Sequence, residues 1–492
     1  MISRINIKHI LTAGFILRLL AVFFSKGYAF YDDHFAVMEL ANEWTKGNIS
    51  EITGGGVYVF SLLYPGLHYL LILFCHTIGI TDPEGIMILV RLFHAGVSVT
   101  AIYYAWRLVS CITDNKELPL LVAALMAIMW MFPFLSVRNL REFFCIPFLL
   151  AGSYYSIKKD ESIKSVILSS FFFVLAVDIR IQCVIFPFVT GLLWMLKKKS
   201  FKKTLLFGLT FSVLFFLTQG LFDYLYYGNP LASTLEYFRY NANPENIKGY
   251  PTGSWYQYIG TIAAMLLGIP FIILLAGYIW SVKLSPSHKI LFLSSFLFFL
   301  IHSYYANKQE RFIIPFLPYF LLLGITGFAD LYQQHKEKKW IRMLIRFSTY
   351  WFFILNTLLL FVLTFSFSKK SRVEVMSYLK DKNVSAIIME GIDPPPKAPM
   401  FYLGKRVAAF ELTLQKSTEE LKRELASSEN PAPEYIIMVG SKDLENRIAR
   451  IKTVFPLLKR EAVIAPGFID NIAHKLNPEH NRNETWYIFH TE

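Results

Sequence analysis

Residues 289–331 read KILFLSSFLFFLIHSYYANKQERFIIPFLPYFLLLGITGFADL. Two apolar runs, 289–305 and 311–331, flank a short polar island holding Lys308, Glu310 and Arg311. Apolar runs of about 17 to 25 residues are long enough to cross the hydrocarbon layer as helices. The stretch reads as two membrane spans and the turn between them, with ionisable groups at one membrane face.

The pattern recurs outward in both directions. Further candidate spans fall near 9–25, 57–80, 86–108, 118–135, 142–157, 163–178, 181–197, 203–222, 257–282 and 346–367. Of the 492 residues, 54% are hydrophobic and 17% charged, against roughly 25% charged in an average soluble domain. The fold class expected is an α-helical polytopic membrane protein. Phe 45, Tyr 27 and Trp 9 suit lipid-facing surfaces and interfacial belts. The first apolar segment is not followed by a small-residue cleavage site, so it reads as a retained helix. After Phe367 the chain becomes charged, with short β-like runs at 385–388 and 435–439 and amphipathic helical runs at 417–427 and 442–454. The expected domains are therefore a transmembrane region, 1–367, and a small soluble α/β domain, 368–492.

The net charge of +13 fits Lys and Arg in cytoplasmic loops facing anionic lipid, not nucleic acid. Cys75, Cys111, Cys145 and Cys183 form no CxxC pair, which indicates neither a disulfide framework nor a zinc site. The basic loops 157–164, 197–203, 282–289 and 333–346 are placed inside by the positive-inside rule. With Arg4 and Lys8 also inside, the alternation requires one fewer crossing. We therefore expect 57–80 to be a juxtamembrane or re-entrant helix, started by a bend at Pro65-Gly66, and eleven spans. The outer face then carries Asp32, Asp33, His34, Arg138, Arg141, Glu142, Asp178, Arg180, Asp223, Lys308, Glu310 and Arg311.

Charges near membrane depth are costly and tend to be functional. Arginines and lysines gathered on one face can cradle phosphate, Arg with bidentate donors. A carboxylate beside them can act as general base toward a hydroxyl. Together they describe glycosyl transfer from a polyprenyl-phosphate sugar. The long connection 223–256, rich in Tyr, Asn, Gly and Pro, is expected to be a carbohydrate-binding lid, with an interfacial aromatic belt as the plainer reading.

Four short motifs in order resemble the GT-C superfamily of membrane glycosyltransferases, and within it glycosyltransferase family 22, the polyprenyl-phosphate-mannose-dependent mannosyltransferases. Tyr31-Asp32-Asp33-His34 is similar to that family's His-Pro-Asp-Glu-type motif, with Asp33 on its Asp. "SVRNLREFF", 136–144, is similar to its Thr-Arg-Thr-Leu-Ser-Asn-like stretch, with Arg138 on the Arg. Asp223, Tyr227 and Gly228 match its Asp-x-x-x-Tyr-Gly segment. "ANKQERFIIPFLP", 306–318, is similar to its His-Lys-Glu-x-Arg-Phe motif, with Lys308, Arg311 and Phe312 matching and Glu310 on the variable position. The likeness covers roughly residues 10–330.

The resemblance implies an inverting transferase in which Asp33 deprotonates the acceptor hydroxyl, Asp32 being the alternative base. Arg138, Lys308 and Arg311 would bind donor phosphate. His34, Arg141, Glu142, Arg180, Asp223, Tyr227 and Glu310 would complete the substrate site. The partners implied are a polyprenyl-phosphate sugar, a mannose donor by family, a glycan or glycolipid acceptor, and membrane lipid. No cofactor is expected; a divalent ion between Asp32 and Asp33 is the less favoured arrangement. The alternatives are a transporter or flippase of lipid-linked sugars, which would show internal repeats, and a non-catalytic assembly subunit. Few cysteines and no ER-retention tail point to a bacterial inner membrane over the endoplasmic reticulum, although Asn483-Glu484-Thr485 is formally a glycosylation sequon.

Overall fold

The computed structural model describes residues 6–48, 56–160, 162–196, 201–478, 481–482 and 484–491. Arg4, part of the basic loop 197–203 including Lys199, and Asn483 lie outside the described residues. Helices occupy every one of the twelve apolar stretches. Among the described residues, five helices are long and apolar enough to cross a membrane: α1 (Ile7–Phe24), α2 (Pro83–Ile112), α3 (Phe201–Tyr227), α4 (Glu310–His335) and α5 (Lys339–Thr364). A sixth candidate is the pair Gln257–Met265 and Ile269–Ser281, bent by 115°. The other apolar stretches also fold as helices, among them Pro286–Tyr304 and the shorter Glu117–Ile128 and Ile181–Met195.

The expected bend at Pro65-Gly66 is not a bend. The helix Leu63–Thr77 starts two residues earlier, so Pro65 sits in its first turn, where a missing N–H leaves no hydrogen bond unmade. The sharp bend lies instead at Leu267 and Gly268, whose φ values are 63° and 80°. The Trp351 indole donates to the Leu267 carbonyl at 2.7 Å, holding the strained corner.

The chain packs as two compact units. The first comprises residues 1–22, 47–70 and 90–364. Its helices are joined by polar staples that suit a low-dielectric interior. Arg18 of α1 is fully buried; it donates to Ser98 Oγ at 2.6 Å and to the carbonyls of Gly14, Met126 and Ala127. Asn356 of α5 bridges the break after helix Glu117–Ile128, accepting from Trp130 N–H at 2.8 Å and donating to Ile128 O at 2.9 Å. α4 lies against Ile269–Ser281 through bare backbone. A Cβ on Gly277 would fall 2.0 Å from Gly324 O, and one on Gly327 2.0 Å from Gly277 O. Only glycine permits that approach, and it seats α4, whose first residues carry Glu310 and Arg311.

The second unit comprises residues 23–46, 71–89 and 365–492. Two short strands, β1 (Lys26–Gly27) and β2 (Phe367–Ser368), pair in parallel, Lys26 opposite Phe367. The rest is a five-stranded mixed sheet of β3 (Ala386–Gly391), β4 (Ala408–Thr413), β5 (Tyr435–Val439), β6 (Lys459–Ile464) and β7 (Trp486–His490). Its order is β4-β3-β5-β7-β6. β3 pairs in parallel with β4 and β5, and β7 runs antiparallel to β5 and β6. β3 and β5 are buried at every position, as the unbroken apolar runs IIM and YIIMV demand. Helices α6 (Lys370–Lys380), α7 (Thr418–Ser427), α8 (Leu444–Lys452) and α9 (Phe468–Leu476) complete the unit. Beneath the sheet a fully buried ion pair joins Glu390 to Arg447, whose remaining donors reach the carbonyls of Val439, Gly440 and Lys442.

Candidate active site

In the first unit, helix Ile163–Ile179 stops at Arg180, which turns extended (φ −146°). Arg141 and Glu142 open the short helix Arg141–Phe144. Glu142 and Arg180, only 4% and 6% exposed, form an ion pair through Glu142 Oε1 and Arg180 Nη1. Arg311 Nε approaches the same oxygen at 3.8 Å and donates to Gln309 Oε1 at 2.9 Å. The guanidinium groups of Arg180 and Arg311 lie 5.2 and 5.5 Å from the Phe312 ring centre. Three distant segments thus converge on one carboxylate. Glu142 Oε2 and Arg180 Nε are buried with no hydrogen-bond partner among the described residues.

Beside them Arg141 donates to the Tyr58 hydroxyl at 2.8 Å and stacks 4.1 Å from the Phe60 ring centre. The Tyr58 N–H donates to the Tyr227 hydroxyl at 3.1 Å. Arg138 is buried against Phe134, 4.5 Å to its ring centre, in a recess with His94, Ser98 and Ser136. Glu310 is exposed.

Lys308 is buried at 3% exposure. Its ammonium donates to the carbonyls of His302 (2.9 Å), Ser303 (2.8 Å) and Tyr305, capping the end of helix Pro286–Tyr304 with a cation where the helix dipole is negative. Burial pushes its pKa below the ordinary lysine value. A one-bridge ladder, Thr252 opposite Asn307, with Lys308 N–H donating to Pro251 O at 2.9 Å, ties the connection 223–256 to this turn.

That connection, expected to be a carbohydrate-binding lid, carries secondary structure of its own. It contains helix Ala232–Ala242, anchored by Asp223. One Asp223 oxygen accepts from Gln219 Nε2 (2.8 Å) and Ser233 Oγ (2.7 Å), the other from Ser233 N–H (2.8 Å). An orphan N–H of the helix start is thereby satisfied.

The second unit holds Asp32, Asp33 and His34. Asp33 is 3% exposed, Asp32 half-buried and Tyr31 exposed. His34 is fully enclosed. Its ring stacks between Tyr28 (4.6 Å) and Tyr402 (5.4 Å), with Nε2 3.3 Å from Glu39 Oε1. The same Glu39 oxygen accepts from Phe401 N–H at 2.8 Å. Among the described residues no group of three or more His, Cys, Asp or Glu is placed to hold a metal ion.

Sequence reasoning did not single out Tyr58, Phe60 or Gln309, which hold Arg141 and Arg311 in place. The aromatic pair in "VYVFSLLYPG", 57–66, is the signal that could have found the first two.

Residues 9–390 match the model of the Alg9-like mannosyltransferase family. The chain belongs to that family. It is 23% identical over 308 residues to GPI mannosyltransferase 3 of Yarrowia lipolytica, a match covering 61% of this chain and 55% of that protein. The fold is similar to ArnT from Cupriavidus metallidurans, with a TM-score of 0.63 at 10% identity over 98% of this chain and 97% of that one. ArnT bound to undecaprenyl phosphate gives 0.62 at 9% identity, with the same coverage of both chains. An Archaeoglobus fulgidus oligosaccharyltransferase tethered with an acceptor peptide gives 0.52 at 10% identity, covering 89% of this chain and 69% of that one. This member of the family is thus an integral membrane protein of GT-C fold.

Proposed function

We propose that the chain transfers mannose, with inversion, from a polyprenyl-phosphate donor to a glycan or glycolipid acceptor at the extracytoplasmic or lumenal membrane face. The observation that carries this reading is the convergence of Arg180 and Arg311 on Glu142 in a mannosyltransferase-family chain. The carboxylate fixes the two guanidinium planes, and Arg180 keeps an unused Nε donor. Held cations of this kind in a dry site stabilise the negative charge that develops as a phosphate leaves. A solved structure of similar fold is described as bound to undecaprenyl phosphate, which supports a lipid phosphate as the ligand.

Asp33 is the proposed base and Asp32 the alternative. Asp33 is 3% exposed, and a carboxylate positioned at the acceptor hydroxyl can take its proton as general base. The acceptor hydroxyl loses its proton to Asp33 as its oxygen bonds to the anomeric carbon, and the bond to the phosphate oxygen breaks on the opposite side. Neither a nucleotide nor a metal ion takes part. The bacterial inner membrane is the proposed location, with the endoplasmic reticulum as the eukaryotic counterpart.

The test is turnover of polyprenyl-phosphate-mannose by the purified chain in proteoliposomes. Asp33→Asn should lose nearly all activity and wild-type turnover should persist in chelator. Wild-type rates in both Asp33→Asn and Asp32→Asn would refute the base, and no transfer from any polyprenyl-phosphate sugar would refute the reaction. Cysteines placed at Lys308 and Lys199 should label from opposite sides of the membrane; labelling from one side would refute the proposed face.

A further inference from the structure

Helix Ala232–Ala242, inside the first unit, carries an apolar stripe that the unit leaves uncovered. Leu231, Leu235, Phe238 and Ala242 stand at i, i+4, i+7 and i+11, which puts them on one face. Leu231 is 44%, Leu235 50% and Phe238 57% exposed, and Ala242 is exposed as well.

Polar side chains hold the helix from behind and so turn this face outward. Asp223 of α3 accepts from the Ser233 hydroxyl (2.7 Å) and N–H (2.8 Å). The Gln182 side-chain N–H donates to the Tyr237 hydroxyl. The Tyr305 hydroxyl donates to the Asn241 carbonyl (3.2 Å) and side-chain oxygen (3.1 Å). Ser233, Tyr237 and Asn241 recur at a spacing of four residues, on another face than the stripe.

The same anchors set the level of the helix. Only 17% of the apolar stretch of α3 is buried by the rest of the chain, which leaves most of its surface to lipid. Lys203 and Asp223 bracket 19 uncharged residues of α3, about 28 Å of helix against roughly 30 Å of hydrocarbon. Asp223 therefore stands at the boundary between hydrocarbon and polar layer, and it pins the start of helix Ala232–Ala242 there. The far end is tied to Tyr305, which directly follows the apolar helix Pro286–Tyr304. The helix thus runs between the ends of two apolar helices. The exposed Phe216, Leu221 and Leu225 of α3 lead along the chain into the stripe. Trp255 and Tyr256, exposed just before helix Gln257–Met265, are the residue types that gather at headgroup level.

We propose that helix Ala232–Ala242 lies in the interface of the membrane that α3 crosses, with Leu231, Leu235 and Phe238 against lipid acyl chains. The occupant of the stripe is lipid, because the exposed apolar surface continues from the face that α3 presents to the bilayer. An apolar stripe on a helix held at this level is the pattern of an interfacial helix. The proposal does not depend on the donor, the acceptor or the base.

The test uses the full chain in phosphatidylcholine nanodiscs. A polarity-sensitive fluorophore is attached at Leu235→Cys and, in a second variant, at Phe238→Cys, exposed positions where substitution leaves the fold intact. Signal from the four native cysteines is measured on the unsubstituted chain and subtracted. Replacing the lipid with one brominated at shallow acyl positions should at least halve the emission at both positions. Unchanged emission at either position would overturn the proposal. A red-shifted unquenched probe would then show the stripe open to water, and a blue-shifted one would show it covered by a second copy of the chain.

Discussion

Arg180 and Glu142 form a buried ion pair that ties the end of helix Ile163–Ile179 to the start of helix Arg141–Phe144. Removing one partner leaves the other charge buried. Arg180→Ala should destabilise the chain by about 3–5 kcal/mol, read as a lowered midpoint of thermal unfolding in detergent. Arg180→Lys keeps the charge but loses the planar fork, so it should retain most of that stability and lose turnover. A Lys variant with wild-type turnover would show that the guanidinium geometry is not used.

Lys308 offers a pH test with two opposite signs. Burial holds its folded pKa below 10.5. Between that folded value and the unfolded one, the unfolded chain binds more protons, so this group's contribution to stability rises with pH in that window. The cation available to a phosphate falls in the same window. If the phosphate contact that the family resemblance implies for Lys308 is made, turnover declines at alkaline pH starting below the ordinary lysine range, with no loss of fold. Lys308→Arg, charged throughout, should move that decline to higher pH; an unmoved limb would assign it to another group.

Asp223 acts through Ser233. With both of its oxygens engaged, Asp223→Ala should cost about 1–3 kcal/mol by leaving the buried Ser233 N–H unmet. Faster proteolysis within 228–256 should accompany it. Asp223→Asn retains one acceptor and should lie between the two. An alanine variant as stable and as protease-resistant as wild type would contradict this anchoring.

His34 joins two parts of the second unit by stacking between Tyr28 and Tyr402. His34→Ala should cost about 2–4 kcal/mol, as loss of an enclosed ring does. His34→Phe restores the stacking area and should recover most of the stability without the contact to Glu39. If alanine and phenylalanine variants are equally unstable, the contact to Glu39 and not the stack holds this junction.

Much of the helical framework was legible because hydrophobicity is local. All twelve apolar stretches fold as helices, and the run Tyr435–Val439 is a strand with the expected bounds. Where the helices bend and break was less legible, because length along the sequence does not reveal it. The corner at Leu267-Gly268 depends on Trp351, and the break at Trp130 on Asn356. The motif residues were recognisable by type and order, but their partners were not. Nothing near Glu142 in the chain announces Arg180 or Arg311, and nothing near Lys308 announces that three carbonyls receive its ammonium.

The sequence by itself determined that this chain lives in a membrane, that its charges gather at the ends of apolar helices, and that its motifs are those of a mannosyltransferase family. These follow from hydrophobic transfer and short-range pattern, which need no neighbour from elsewhere in the chain. Only the tertiary structure decided that Arg180 and Arg311 share one carboxylate, that His34 is locked between two tyrosines, and that residues 23–46 pack with 365–492. Each of these is a contact between distant segments. Its energy exists only once desolvation and packing have brought those segments together.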